Sequence, residues 1–150
     1  MWRNVEKTKN KVMPLFYANN SIVVFDTETT GLGSDAKIIQ FSGIRFRITE
    51  DLQLEEDCTL DLYINPEEPL SDRIVEITGI TDATLEHAKT ESEVFDLIQY
   101  FMETADFWSA YNCSFDLRMI SQMENRLGKT IAPRECIDIL KLARDLIGRE

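Results

Sequence analysis

Two acids spaced two residues apart, Asp26 and Glu28, close the apolar run Ser21-Ile22-Val23-Val24-Phe25, and Gly31 ends the stretch. A continuous apolar run stopped by a turn residue reads as a strand buried on both faces. Side chains on a strand alternate, so the two carboxylates share a face, roughly 6–7 Å apart along the chain. Two such acids repel each other unless a cation lies between them or one keeps its proton. Hard oxygen ligands of this kind suit Mg²⁺ or Mn²⁺.

A second chemical stretch is Ala110-Tyr111-Asn112-Cys113-Ser114-Phe115-Asp116. It stands where a short apolar strand, Asp106 to Tyr111, hands over to a helix from Phe115 to Leu127 that Gly128 ends. Asp116 falls in the first helical turn, where a carboxylate suits the helix dipole. Taken alone, the pattern is a helix cap with a solvated acid. Taken with Asp26 and Glu28, it offers a third oxygen ligand at a strand end, where α/β sheets place their sites.

The elements that would position these acids follow from periodicity. Residues 1–20 form a short helix or arm, interrupted by Pro14. A long second strand runs over 37–48, and its alternation slips near Gly43, which suggests a bulge. Thr49 to Asp57 reads as a polar hairpin connection, and Cys58 to Ile64 as a third strand. Short helices follow between Ser71 and His87, with Ser71 and Thr81 or Asp82 as caps. Thr90 and Glu93 make a capping box for a helix over 91–104. A last short strand near Cys136 precedes a helix to Ile147. The order β-β-β-α-β-α-β-α implies an α/β fold, with an antiparallel meander joined to parallel strands in one mixed sheet flanked by helices.

Length and charge narrow the possibilities. The 150 residues suit one domain, divided into an arm over 1–20 and a main body over 21–150. The net charge of −11 argues against a protein that holds nucleic acid through a broad basic surface. Residues 1–20 nonetheless carry +3, through Arg3, Lys7, Lys9 and Lys11 against Glu6. Their expected role is packing, with contact to a phosphate backbone as the alternative. From Ile48 to Asp72 there are nine acids and no Lys or Arg, a solvated face or a surface for a basic partner. Cys58, Cys113 and Cys136 lack metal or disulfide spacing and read as free thiols. No run reaches transmembrane length and no apolar leader is visible, so a cytoplasmic protein without membrane partners is expected.

Phe25-Asp26-Thr27-Glu28-Thr29-Thr30-Gly31-Leu32 resembles the first motif of the DnaQ-like (DEDD) 3′→5′ exonucleases, especially the proofreading exonucleases of bacterial replicative polymerases. Asn112-x-x-Phe115-Asp116 resembles their second motif, Thr78-Gly79-Ile80-Thr81 a linking element, and Cys136 to Arg144 a further family stretch. The four appear in the family's order over about residues 21–148. Tyr111 departs from the pattern, standing where many relatives have histidine.

The resemblance implies a ribonuclease H-like fold and a two-metal phosphodiesterase using Mg²⁺ or Mn²⁺. Asp26 would bridge both ions, Glu28 would hold one and Asp116 the other. Leu32 would pack on the terminal base, backbone at Thr27 and Glu28 would contact the terminal sugar, and Asn112 would join the substrate site. The implied substrate is a single-stranded or frayed 3′ end of DNA, released as nucleoside 5′-monophosphates. The implied partner is a DNA polymerase subunit, or a polymerase or helicase fused to the same chain.

The family's third motif, a histidine followed five positions later by an aspartate on a last helix, does not occur before Glu150. Asp138 matches the family's structural aspartate instead, and His87 is expected on the surface. A C-terminally truncated domain, its last helix missing and its activity weak or absent, is therefore the expectation. The alternatives are an exoribonuclease of the same family and an inactive module that keeps the fold for binding or scaffolding.

Overall fold

The structure is a computed structural model that describes residues 2–147. Met1 and residues 148–150, the outer ends of the arm and body expected above, lie outside the described residues. Five strands, β1 (Ser21–Thr29), β2 (Ile38–Ile48), β3 (Leu54–Tyr63), β4 (Phe107–Ala110) and β5 (Cys136–Asp138), make one mixed sheet in the order β3-β2-β1-β4-β5. The first three form the expected antiparallel meander, and β4 and β5 add in parallel beside β1. Six helices accompany them among the described residues: α1 (Trp2–Val12), α2 (Asp72–Thr78), α3 (Asp82–Leu85), α4 (Glu91–Glu103), α5 (Cys113–Leu127) and α6 (Ile139–Ile147).

The local signals behave as their chemistry dictates. The Ser71 side chain accepts from the Ile74 amide, Thr81 caps α3, and Glu93 reaches back to the Thr90 amide at 3.1 Å. Gly128 ends α5 at φ 64°, a conformation that side chains with a Cβ avoid. The main core lies on one face of the sheet. Val23, Phe25 and Phe41 meet Phe95, Ile98 and Phe101 of α4 and Met119 and Met123 of α5. On the other face, Ile48, Phe107 and Ile137 pack with Ile22 and with Val12, Leu15 and Phe16 of the N-terminal segment.

Four expectations change. First, β1 is not buried on both faces. Val23, Phe25, Thr27 and Thr29 are buried, whereas Ile22, Val24 and Glu28 are half-buried and Asp26 is exposed. The N-terminal segment covers the second face only at the start of the strand, so Val24 and Asp26 open onto a groove shared with Ile44, Asp61 and Tyr111. Second, β3 begins at Leu54, inside the expected connection. Arg45 and Arg47 on β2 reach Asp57 (2.9 Å) and Glu55 (3.3 Å), so cross-strand ion pairs hold an acidic edge strand that has no apolar alternation to announce it. Third, α5 begins at Cys113, two residues early.

Fourth, Gly43 is not a bulge. It pairs in register with Phe25 on one side and Leu60 on the other. The irregularities fall between Glu28 and Thr29 and between Arg45 and Phe46. The apolar pattern slips because Phe41 and Gly43 face the main core while Ile44, Phe46 and Ile48 lie on the opposite face. Gly43 is required by close approach: a Cβ there would lie 2.6 Å from the Phe101 ring, itself packed edge-on against Phe41. Gly43→Ala is expected to destabilise the chain by roughly 1–3 kcal/mol as α4 is pushed off the sheet. Urea unfolding checks this, and an unchanged midpoint would show that the ring has room to move.

Candidate active site

The site forms at the carboxyl ends of β1 and β4. There the sheet changes from antiparallel pairing (β1 with β2) to parallel pairing (β1 with β4), a switch that opens a crevice at the strand ends. Asp26 and Glu28 leave β1 on its half-open face, opposite Ser42 and Gln40 of β2. The irregularity just after Glu28 turns the chain out of the sheet beside these acids, where bulges commonly redirect side chains.

Asp116 reaches the site from the helix side, and not as a solvated cap. It is 2% exposed and heads the buried stripe of α5, followed by Met119, Ile120 and Met123 at helical spacing. Asn112, immediately before the helix, takes the left-handed conformation (φ 57°, ψ 57°) and makes no side-chain cap bond. Its amide donates to Asp138 Oδ1 at 3.0 Å, and the same oxygen accepts from the Leu140 amide at 3.0 Å. Asp138 thus anchors both the β4–α5 turn and the start of α6, the structural role expected of it.

One hydrogen bond ties the two halves of the site together. The Thr27 hydroxyl, on the inward face of β1, donates to Asp116 Oδ1 at 2.5 Å. From the sequence, Thr27 is expected to contribute only a backbone contact. Its inward side chain is legible from alternation, but its partner is 89 positions away and is not.

Two of the three acids feel their neighbours. Burial pushes Asp116 up to about 6, the Thr27 hydroxyl opposes that rise, and the charges of Asp26 and Glu28 add to it. Burial and the Asp26 charge also raise Glu28. Neighbouring carboxylates whose charges act on Glu28 and Asp116 in this way have the donor chemistry of a divalent-cation site. Among the described residues no three acid, histidine or cysteine side chains converge closely enough to ligate one ion as they stand. Asp116 is fixed by Thr27, whereas no protein hydrogen bond among the described residues holds the carboxylates of Asp26 or Glu28. Of the three, Asp26 and Glu28 are thus the two carboxylates that no protein partner among the described residues restrains.

Sulfur is not part of the set. Burial pushes the thiols of Cys113 and Cys136 up, and each lies against the other, so both stay protonated near neutrality. His87 is exposed in the turn after α3, as expected.

Beside Glu28, the segment 27–32, α2 and Phe115 enclose a groove. Leu32 is 75% exposed at its mouth, and Ile77, 65% exposed, faces it from α2 together with Arg73. Arg118 and Gln122 of α5 donate to the carbonyls of Leu32, Gly33 and Ala36 and fix the loop that carries Leu32. Leu32 is the residue expected to meet a terminal base; Arg73 and Ile77 line the same groove, and their i,i+4 spacing on a short helix is their only local signal.

Comparison with known proteins gives a consistent result. Residues 23–150 match the family model RNase_T, described as Exonuclease. The chain is 35% identical over 130 residues to the DNA polymerase III PolC-type of Bacillus cereus, covering 86% of this chain and 9% of that protein. It is 33% identical over 128 residues to the PolC-type polymerase of Lactococcus lactis subsp. lactis, covering 85% of this chain and 7% of that protein. A product-bound structure of exonuclease I superposes with a TM-score of 0.72 at 19% identity, over 84% of this chain and 31% of that one. Exonuclease X in complex with 5′ overhanging duplex DNA gives 0.61 at 23% identity, over 83% and 63%. These likenesses show the ribonuclease H-like exonuclease fold, and the chain spans under a tenth of the polymerases it matches.

Proposed function

Because this chain belongs to the exonuclease family whose model its residues 23–150 match, we propose that it removes nucleotides from the 3′ end of DNA as 5′-monophosphates. The observation that carries this reading is the approach of Asp116, tied to β1 by Thr27, to Asp26 and Glu28 from a distant part of the chain, near enough that their charges raise its proton affinity.

In this reading the three carboxylates hold two divalent ions, Mg²⁺ or Mn²⁺. Bound ions would supply the positive field that an acidic chain otherwise lacks, together with polarisation of water for attack and stabilisation of the departing 3′-oxygen. The chain's own residues do the rest. Thr27 keeps Asp116 aimed at the crevice and opposes its protonation. Leu32, Ile77 and Phe115 offer apolar surface to an unstacked terminal base, and Arg73 offers a cation to its phosphate. Asn112 presents an exposed carboxamide to the terminal sugar. A frayed or mispaired terminus costs less to seat in such a groove than a paired one. The PolC-type relatives support a proofreading role beside a DNA polymerase.

The test is an assay of end-labelled, 3′-mismatched DNA, matched DNA and RNA strands with Mn²⁺. Mononucleotides released from the 3′ end, faster from the mismatch, are expected, and Asp26→Ala should abolish them. Release that survives Asp26→Ala would defeat the assignment. Faster loss of RNA would move the reading to an exoribonuclease. A folded chain that neither binds Mn²⁺ in calorimetry nor cuts any strand would be a binding module.

A further inference from the structure

Helix α1 lies outside the matched residues 23–150, yet it is not a detached arm. It packs along α6, and the buried Thr8 hydroxyl donates to Asp145 Oδ2 at 3.0 Å. Between the two helices runs a cleft floored by Val12, Ile137 and Leu142 and rimmed by Lys7, Lys11 and Lys141.

Its charge is opposite to that of the chain. Three lysines against Asp138 and Asp145 leave it a formal +1; Asp145 accepts from Thr8 and Asp138 from the amides of Asn112, Leu140 and Lys141, which fixes both acids in place. The three lysines make no ion pair with any acid among the described residues, in a chain with 27 acids and 16 basic residues. What sets them apart is their place: all three line one cleft between two helices. Three exposed lysines along one cleft of an acidic protein, without an ion pair among the described residues, suit a polyanion.

The cleft and the groove beside Asp26 are lined by consecutive residues of one segment. Ile137 and Asp138 line the cleft, while the next residue, Ile139, lines the groove onto which Asp26 and Tyr111 open. Lys11 lies near enough to Cys113 for its charge to act on that thiol, one helical turn before Asp116. We propose that the α1–α6 cleft binds the phosphodiester backbone of a single-stranded nucleic acid, through Lys7, Lys11 and Lys141, at a point away from the end seated by Asp26. The site is an addition to the matched family domain, and it rests on the exonuclease reading only for which strand it holds.

Anisotropy of a fluorescein-labelled oligothymidylate tests this in EDTA, where ion-dependent cleavage is silent. The triple variant Lys7→Gln/Lys11→Gln/Lys141→Gln should bind at least about tenfold more weakly at low salt, with a salt slope shallower by about 2, near 0.7 per lost phosphate contact. An oligouridylate should lose as much, since phosphate is the shared chemistry. The control Lys37→Gln/Lys89→Gln/Lys129→Gln, with the same net charge, should keep the wild-type slope. A wild-type chain that does not bind the strand, or an unchanged slope in the cleft variant, overturns the proposal. So does a control that falls equally. If the chain hydrolyses DNA, the cleft variant should raise KM for the oligonucleotide, with kcat and the cleavage of a thymidine 5′-aryl phosphodiester unchanged. If it hydrolyses nothing, the exonuclease reading fails while the binding measurement still decides this one.

Discussion

Asp116→Asn is expected to make the ion-free protein more stable while abolishing its activity. Asp116 is 2% exposed, and its carboxyl is raised from 3.8 to about 6. The folded chain thus binds that proton more tightly than the unfolded chain does. Well below pH 3.8 both states hold the proton and the site costs nothing. As pH rises from 3.8 to about 6 the unfolded chain releases it first and stability falls; above about 6 the whole cost is present. The full difference corresponds to roughly 3 kcal/mol as an upper figure.

Asparagine keeps a carbonyl oxygen for the Thr27 hydroxyl and carries no charge. The melting temperature of Asp116→Asn should therefore exceed that of wild type by several degrees above about pH 7, at about 2–4 °C per kcal/mol, and match it well below pH 3.8. Mn²⁺ should erase the difference by stabilising only the wild type. Nucleotide release should fall at least about a hundredfold, the scale of several kcal/mol of charge stabilisation. Calorimetric melting with EDTA and with Mn²⁺, alongside the strand assay, checks all of this. A variant that melts at or below wild type above pH 7 would show that the buried charge is compensated in the ion-free fold.

Thr27→Val should act through Asp116 and not through the nucleic acid. Valine has the shape of threonine and suits an inward strand position, but it donates nothing. Losing a charge-assisted bond to a buried carboxylate costs roughly 1.5–3 kcal/mol. Because the hydroxyl holds the Asp116 carboxyl down, its loss lets the carboxyl rise further. An ion must then displace a proton that leaves at higher pH. Mn²⁺ affinity should fall, with a larger deficit near pH 6 than near pH 8. Thr27→Ser, which keeps the donor, should restore affinity and its pH profile even if packing suffers. Isothermal titration with Mn²⁺ at both pH values decides this. Equal deficits for valine and serine would mean that the methyl group, and not the hydroxyl, matters.

The readable and unreadable parts of this protein divide along a physical line. Local rules act over a few residues, and they were enough for the caps at Ser71 and Thr81, the capping box at Thr90 and Glu93, and the Gly128 stop. They were also enough for the shared face of Asp26 and Glu28 and for the order of the elements, because alternation and helical period are properties of the backbone itself. The motif strings added the family, which the comparisons bear out. Tertiary contacts decided the rest. Gly43 is a packing glycine because a ring from α4 lies on it; that ring is 58 residues away in the chain and has no local signature. The edge strand starts at Leu54 because its backbone pairs with β2 as far as Ile48, with arginines on β2 facing its acids. Asp116 is buried because it heads the apolar stripe of α5 where that stripe meets the sheet, and burial, more than any neighbour, sets its charge. The sequence by itself determined which carboxylates are present and on which elements they ride. Only the tertiary structure decided that Thr27 holds Asp116, that α1 joins α6 into a basic cleft, and which acid meets solvent, because desolvation and long-range pairing do not exist until the chain has closed on itself.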